Sequence, residues 1–257
     1  MKPEETMASM SGQVAIVTGA ASGIGAAAAL ALAREGVCVI VSDMDREMGE
    51  RTVQAIGKEG GAARFVACDV SRPEQVEALV RAAREHFGKL DVAVNNAGIG
   101  GEMNPTGEYS IEGWHKVIAV NLSGVFYCMK YEIRAMLEAG GGSIVNVASI
   151  LGQVGFAGTP AYTASKHGVV GLTRAAALEY SARNIRVNAV GPAFIHTPMI
   201  ARLEEDPQQL AGLIGLHPIG RVGRVEEVAE LILWLASPKA SFVTGSYYPI
   251  DGAYLAR

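Results

Sequence analysis

The chain has 257 residues, of which 49% are apolar and 19% are charged, and 31 of them are glycine. This composition excludes an intrinsically disordered protein, which needs low hydrophobicity and high charge, and the glycines do not recur every third residue as collagen requires. The net charge is −4 and no dense block of lysine and arginine occurs. Strong non-specific binding to nucleic acid is therefore excluded, because it depends on neutralising phosphates.

Two stretches of the sequence bear on targeting. Residues 1–10 read MKPEETMASM and carry acidic side chains where a signal peptide has its apolar core, so residues 1–11 are expected to form a polar lead-in. Residues 139–165 carry no charge but contain six glycines and one proline, which break any continuous apolar helix. No membrane segment is therefore expected.

The three cysteines, Cys38, Cys68 and Cys128, are far apart and lie in apolar runs. Their spacing suits no zinc site and their odd number gives no disulfide framework, so we expect small buried side chains. No metal site is predicted. A reducing compartment fits this cysteine usage, and the protein is expected to be cytoplasmic.

Strand-like and helix-like stretches alternate along the whole chain. Apolar runs predict strands, and the polar or alanine-rich stretches between them predict helices. The predicted strands are residues 14–18, 37–43, 64–70, 90–94, 143–148, 186–190 and 247–250. The predicted helices are residues 26–35, 45–58, 71–87, 111–137, 160–182 and 225–236. A capping box of Ser71 and Glu74 is expected to begin the third helix.

The predicted strands are continuously apolar, which is typical of strands that are covered on both faces. Alternation of strands and helices predicts a parallel sheet with right-handed crossovers. Since no linker-like stretch divides residues 1–257, we predict a single α/β domain, doubly wound, with a mainly parallel seven-stranded sheet and helices on both faces. Its ligand is expected at the carboxyl ends of the strands.

A glycine cluster, TGAASGIG, follows the first predicted strand and begins the first helix. Gly19 permits a tight turn, Gly23 lets the backbone approach a pyrophosphate, and Gly25 lets the helix lie close to the sheet. The helix N-terminus favours phosphate charge. This context favours nucleotide binding over a purely structural turn, although the spacing is not G-x-G-x-x-G and the lysine of a P-loop is missing.

Asp43 ends the second predicted strand. A carboxylate at this position accepts hydrogen bonds from both ribose hydroxyls and repels a 2′-phosphate. Ser22 in the glycine cluster and Met44 after Asp43 are uncharged and so cannot pair with such a phosphate, although Arg46 is close to Asp43 in the sequence. NAD is therefore predicted over NADP. The other interpretation of Asp43 is an N-cap for the helix at residues 45–58.

Tyr162 and Lys166 are four residues apart near the start of a predicted helix, so they lie on one face about one turn apart. An ammonium group near a phenol favours the phenolate, which would bring Tyr162 into the range of a general acid or base near neutral pH. Taken alone, Tyr-x-x-x-Lys is common by chance. Ser149 follows the fifth strand, at the sheet edge where a ligand is expected.

The order of these motifs resembles that of the short-chain dehydrogenase/reductase family. The residues that carry the resemblance are 18–25, Asp43, Asp69, 95–98, Asn121, Ser149, Tyr162, Lys166, Pro192 and Thr197. The resemblance covers the chain from about residue 13 onward and implies a Rossmann fold. It further implies that the protein is an oxidoreductase that transfers hydride between NAD(H) and a secondary alcohol or ketone, and that it forms a homotetramer.

By this resemblance, Tyr162 is the catalytic acid/base, Lys166 lowers its pKa and holds the nicotinamide ribose, and Ser149 holds the substrate oxygen. Asn121 lies within a predicted helix, and the resemblance implies a local distortion there that holds a water molecule. The cofactor-binding residues implied are Gly19, Ser22, Gly23, Ile24, Gly25, Asp43, Met44, Asp69, Val70, Asn95, Ala97, Gly98, Val120, Tyr162, Lys166, Pro192, Ile195 and Thr197. The family usually has Pro-Gly where this chain has Pro192-Ala193, so a Cβ either narrows the space beside the nicotinamide or forces a negative φ.

The substrate wall is expected from residues 150–159 and 198–217, and residues 193–217 are expected to form a lid that orders on binding. The predicted substrate contacts are Ser149, Leu151, Val154, Phe156, Tyr162, Ala193, Met199 and Leu203. The apolar character of these segments favours an apolar or neutral secondary alcohol or ketone over an anion. Neither a nucleic acid nor a membrane is expected as a partner.

Two alternative functions remain at this point. A 3-oxoacyl-carrier-protein reductase belongs to the same family, but it would need cationic surface near the cleft, whereas Glu138 stands at the end of the long helix and Asp43 disfavours NADPH. A non-catalytic NAD-binding regulator belongs to another class. It would not need Asn121, Ser149, Tyr162 and Lys166, which are all present.

Overall fold

Seven parallel strands form one sheet in the computed structural model, which describes residues 10–256 apart from the side chain of Arg202. The strands are β1 (Val14–Thr18), β2 (Cys38–Asp43), β3 (Ala63–Ala67), β4 (Val92–Asn95), β5 (Gly142–Val147), β6 (Ile185–Pro192) and β7 (Tyr247–Ile250). Their order is β3-β2-β1-β4-β5-β6-β7, and each neighbouring pair is parallel. The predicted doubly wound α/β fold is confirmed.

Helices cover both faces of this sheet. They are α1 (Gly23–Arg34), α2 (Arg46–Lys58), α3 (Pro73–Phe87), α4 (Ile111–Ile118), α5 (Gly124–Ala139), α6 (Pro160–Tyr180), α7 (Ala201–Glu204), α8 (Pro207–Gly215) and α9 (Val225–Ala236). The core on one face includes side chains of α3, α5 and α6, and the core on the other includes those of α1, α2 and α9. In the described part of the chain, none of these helices is both long and apolar enough to cross a bilayer.

The central strand β1 shows why the strands read as continuous apolar runs. Val14 and Ile16 enter one core, whereas Ala15 and Val17 enter the other. Side chains alternate between the two faces of a strand, so a strand between two cores has no polar face. Each fully buried leucine or isoleucine contributes about 1.5–3 kcal/mol to folding, and such residues supply both layers.

Several element boundaries differ from the prediction. The predicted helix 111–137 is divided into α4, a π-helical turn (Ala119–Ser123) and α5. The predicted capping box is wrong, because the Ser71 hydroxyl donates to Asp69 instead and α3 begins after Arg72 at a proline. The segment expected to be a polar lid contains α7 and α8. Most of the predicted lead-in lies outside the described residues, and its Met10 is buried.

Candidate active site

A cleft of about 760 Å³ opens at the carboxyl ends of the strands, where β1 and β4 lie side by side and the strand order reverses. The segments that follow the first six strands form its walls. Ligands of doubly wound sheets bind at this point. The volume is in the range of sites that hold a cofactor or a small molecule.

The glycine-rich turn after β1 begins α1 at one wall of the cleft. Gly19 and Gly23 have φ values of +64° and +56°, in the left-handed region that side chains disfavour. A Cβ on Gly25 would overlap the carbonyl oxygen of Gly19, so only glycine permits this close approach. The Ser22 side chain makes no capping hydrogen bond, and the first turn of α1 has no acidic residue. The first N–H groups of α1 therefore suit an anion such as a pyrophosphate.

Asp43 lies at the cleft wall where β2 ends. One of its carboxylate oxygens accepts a hydrogen bond from the Ala21 N–H, and the other accepts one from the Asp45 N–H, each at 3.0 Å. The N-cap of α2 is Asp45, which accepts from the Met48 N–H, so the interpretation of Asp43 as that cap is wrong. The two N–H groups fix the Asp43 carboxylate at the cleft, where each oxygen retains a lone pair for a ligand hydroxyl.

The next part of the cleft wall follows β3 and β4. Asp69 accepts hydrogen bonds from the backbone N–H and the hydroxyl of Ser71. The predicted residues that line this part are Asp69, Val70, Ala97, Gly98 and Val120. Asn95 was predicted to line it as well, but it is buried beneath the cleft, and Asn96 takes its place. The Asn96 amide donates to the carbonyl oxygens of Thr18 and Gly19 and so ties β4 to the glycine-rich turn.

Tyr162, Lys166 and Ser149 meet at the end of the cleft beyond β5. The Lys166 ammonium donates to the Val147 carbonyl oxygen at 2.7 Å and lies 5.5 Å from the centre of the Tyr162 ring. Burial lowers the pKa of Lys166 to about 8. Burial also raises the pKa of Tyr162 above its ordinary value, and a hydrogen bond with Ser149 acts in the opposite direction. The lowering of the Tyr162 pKa by Lys166 stays a prediction.

Asn121 lies in the π-helical turn and is fully buried. Its side-chain oxygen accepts from the Ile99 N–H at 2.9 Å, and its amide donates to the Ile99 carbonyl oxygen, also at 2.9 Å. The distortion predicted at this residue is therefore present, and π-turns are frequent at functional sites. Asn121 supports the loop after β4 rather than lining the cleft itself.

The substrate end of the cleft is only partly as predicted. Ser149, Tyr162, Ala193 and Met199 line it, whereas the predicted contacts Leu151, Val154, Phe156 and Leu203 do not. The Phe156 ring instead packs edge-on against the Phe194 ring, with 6.0 Å between the ring centres. Pro198 and Ile200 of the predicted wall segment 198–217 also line it. Residues that sequence reasoning missed complete the wall and include Ile99, Gly100, Lys116 and Ala148. Ile99, Gly100 and Ala148 lie in loops, whose paths leave no periodic signal in a sequence, whereas Lys116 lies in α4.

A buried polar network lies beneath the cleft and was also missed. The Asn95 amide donates to the Glu132 carboxylate and to the Asn146 side-chain oxygen, both at 3.0 Å. The Asn146 amide in turn donates to the Thr173 hydroxyl at 2.9 Å. The network links α5, β4, β5 and α6, and burial raises the pKa of Glu132 to about 8. The sequence does show a carboxylate, Glu132, among the apolar residues of a predicted helix. It does not show the partners of Glu132, because they are distant in the sequence.

The sequence matches a protein-family model and several dehydrogenases. A family model described as enoyl-(acyl carrier protein) reductase matches residues 19–254. Cyclohexanol dehydrogenase from Acinetobacter sp. (strain SE19) is 52% identical over 245 residues, which are 95% of this chain and 96% of that protein. Cis-4-hydroxycyclohexanecarboxylate dehydrogenase from Sinomonas cyclohexanicum is 47% identical over 244 residues, which are 95% of this chain and 97% of that protein.

A solved structure shares the fold as well. The crystal structure of levodione reductase superimposes with a TM-score of 0.93 and 38% sequence identity, and the match covers 96% of this chain and 98% of that one. Both the family model and these relatives extend over the glycine-rich turn, Asp43, Ser149 and the Tyr162–Lys166 pair. The chain therefore belongs to the short-chain dehydrogenase/reductase family, whose members are oxidoreductases that use NAD or NADP.

Proposed function

We propose that this protein is an NAD-dependent dehydrogenase of a neutral secondary alcohol carried on a six-membered carbon ring, which in reverse reduces the corresponding ketone. The observation that carries the proposal is the meeting of Tyr162, Ser149 and Lys166 at the apolar end of a cleft whose other end has the features of a dinucleotide site. The ring preference is suggested by the relatives named for cyclohexanol and for a hydroxycyclohexane acid.

The residues of the cleft fit a dinucleotide. The left-handed turn at Gly19 and Gly23 has no side chain in the way of a pyrophosphate, and a Cβ on Gly23 would lie 3.3 Å from the Thr197 side chain on the opposite wall. Asp43 would hold the adenosine ribose, and Lys166 the nicotinamide ribose. When bound, the nicotinamide ring supplies the acceptor for the hydride.

The catalytic side chains would handle the proton and the substrate oxygen. In alcohol oxidation Tyr162 takes the hydroxyl proton as the C–H hydride leaves, so that the alcohol loses two hydrogens and becomes a ketone. Ser149 accepts a hydrogen bond from the Leu151 N–H at 3.2 Å, which leaves its own proton for the substrate oxygen. A Lys166 whose pKa is about 8 exchanges protons readily near neutral pH and, when charged, favours the Tyr162 phenolate.

The surroundings of Asp43 support NAD over NADP. Its fixed carboxylate would face a 2′-phosphate with like charge. Met44 is largely exposed and offers no charge. Arg46, the nearest cation in the sequence, stacks over the Phe65 ring at 5.2 Å. Ser22 stands where a basic residue would serve NADP.

The charge of the cleft supports a neutral substrate. In the described part of the chain, Lys116 and Lys166 are the only basic side chains that line it. Lys166 is buried and donates to a backbone carbonyl. The remaining wall at the substrate end includes Ala193, Met199 and Ile200. Residues 193–217 supply those apolar side chains and would form the lid that closes over the substrate.

Initial rates of NADH and NADPH formation with cyclohexanol test this proposal. We expect kcat/KM with NAD to exceed that with NADP by about 100-fold, because a like-charge contact costs several kcal/mol. Asp43→Ser should narrow this ratio, and Met48→Leu, a change on the exposed surface of α2, is a matched control. Equal rates with both cofactors would contradict the NAD preference.

Two further substrates separate the alternatives in the same assay. The anionic cis-4-hydroxycyclohexanecarboxylate should be oxidised more slowly than cyclohexanol, because Ala193, Met199 and Ile200 make the wall at the substrate end apolar. Faster turnover of a 3-oxoacyl thioester than of cyclohexanone would favour the carrier-protein reductase. Cofactor binding without turnover of any of these compounds would favour the non-catalytic regulator.

We also propose that the protein is a cytoplasmic homotetramer. Cys38, Cys68 and Cys128 are free thiols, which suits a reducing compartment. Leu178 at the end of α6 and Phe242 before β7 are large apolar side chains that are almost fully exposed. Exposed apolar patches mark surfaces that meet other proteins, and these two side chains are the candidates for contacts between subunits. Light scattering at micromolar concentration should give about four times the chain mass of 26.9 kDa, and a monomer would refute the tetramer.

A further inference from the structure

Tyr247 on the edge strand β7 reaches across β6 to the end of β5. Its hydroxyl donates a hydrogen bond to the carbonyl oxygen of Ser149 at 2.9 Å. Gly191 of β6 lies beneath the Tyr247 ring, and a Cβ on this glycine would overlap the Tyr247 hydroxyl. The ring therefore crosses the middle strand through a gap that only glycine leaves open.

This hydrogen bond fixes Ser149 from a second direction. The Ser149 carbonyl oxygen also accepts from the Gly152 N–H at 2.8 Å, and the Ser149 hydroxyl accepts from the Leu151 N–H at 3.2 Å. The three bonds hold both the backbone and the side chain of Ser149 at the start of the 3₁₀ turn (Ile150–Gly152). The Ser149 hydroxyl, which lines the cleft, accepts only the Leu151 N–H among these bonds and keeps its own proton to donate.

The Tyr247 hydroxyl is suited to donate this hydrogen bond permanently. Burial, with a contribution from the negative charge of Asp251, raises its pKa well above the ordinary value for tyrosine. The group therefore stays protonated over the pH range of an assay and accepts no charge during the reaction. The ring packs against the core that contains α6, the helix that carries Tyr162 and Lys166.

We propose that Tyr247 is a positioning residue for the reaction: it holds the Ser149 carbonyl through the gap at Gly191 and so sets the direction in which the Ser149 hydroxyl donates to the substrate oxygen. This inference rests on the proposed role of Ser149. No residue of β7 lines the cleft. The proposal therefore gives this edge strand an indirect part in catalysis, through Ser149.

Tyr247→Phe removes the hydroxyl and keeps the ring. We expect kcat for cyclohexanol oxidation to fall on the order of 10-fold, a fraction of the 10²–10³ lost when a donor to the reacting oxygen is removed outright. The dissociation constant of NADH should not change, since Tyr247 does not line the cleft. Tyr248→Phe is the matched control, because Tyr248 packs against Trp234 on the other face and should keep wild-type kcat.

A double-mutant cycle with Ser149→Ala shows whether Tyr247 acts through Ser149. If it does, Tyr247→Phe will lower kcat much less in the Ser149→Ala protein than in the wild type. Multiplicative effects of the two changes, or a Tyr247→Phe enzyme with wild-type kcat, would overturn the proposal. An inactive wild type would instead be a failure of the proposed substrate class.

Amide hydrogen exchange gives a readout that does not depend on turnover. Loss of the hydrogen bond from Tyr247 to the Ser149 carbonyl oxygen should speed amide exchange at Leu151 and Gly152, whose N–H groups donate to Ser149. In the Tyr248→Phe control both amides should stay protected. Unchanged protection in Tyr247→Phe would overturn the positioning role even in an inactive protein. Gly191→Ala should lower stability through overlap with the ring, and adding Tyr247→Val should restore stability but not kcat.

Discussion

Replacement of Tyr162 by phenylalanine is expected to lower kcat for alcohol oxidation by about 10²–10⁴-fold, the range that a positioned acid or base contributes. The ring would still fill its place at the start of α6, and the Lys166 ammonium would keep its bond to the Val147 carbonyl oxygen. The group that takes the hydroxyl proton would be missing. Steady-state rates together with NADH fluorescence titration measure the effect, and cofactor affinity should not change.

Tyr180→Phe is the matched control for this experiment, because Tyr180 ends the same helix far from the cleft wall. A Tyr162→Phe enzyme with wild-type turnover would exclude Tyr162 as the acid/base. The pH profile adds a second constraint. Since burial raises the pKa of Tyr162, oxidation in the wild type should accelerate toward alkaline pH, where the phenolate is more populated, and ketone reduction should slow.

Replacement of Glu132 by glutamine is expected to stabilise the protein increasingly as the pH rises from about 5 to 8. The folded chain holds the Glu132 proton up to a pKa of about 8, against an ordinary value of 4.5. Between these values the unfolded chain has released the proton and the folded chain retains it. The stability that this group contributes is therefore fully present below pH 4.5 and is lost as the pH rises to about 8, by about 1 kcal/mol for each pH unit.

Glutamine has no proton to lose and still offers an oxygen to the Asn95 amide, so the variant should lack this slope. Urea unfolding at several pH values measures the difference. Glu138→Gln is the control on the same helix, because Glu138 is exposed and pairs with Arg84 at the surface, where such pairs contribute little. Parallel stability curves for wild type and Glu132→Gln would show that the buried carboxyl does not titrate as inferred.

The sequence predicted those features whose cause is local. The strand β1 and the helix α9 begin and end where predicted, because an unbroken apolar run and a helical apolar face each have clear limits. The glycine-rich turn and the Tyr162–Lys166 pair also depend on short spacings. They are found together because both follow strands of one parallel sheet, whose carboxyl ends meet at one edge.

The errors fall where distant parts of the chain decide the outcome. Asn95 and Asn96 are adjacent and identical, and only the end of β4 decides that the first points into the core while the second reaches the cleft. The Phe156 ring contacts the ring of Phe194, which follows β6 and is distant in the sequence. The contact between Tyr247 and Ser149 joins residues that are 98 positions apart, and no local sequence pattern at either residue predicts it.

The gap at Gly191 has a consequence for how this enzyme can change over generations. With Tyr247 in place, every side chain at position 191 overlaps its hydroxyl, so the two positions are not free to vary independently. A lineage that acquires a side chain at 191 must first replace Tyr247 with a smaller residue, and a lineage that acquires the tyrosine must first have the glycine. Sequences descended from either starting point should therefore rarely combine a tyrosine at 247 with anything but glycine at 191.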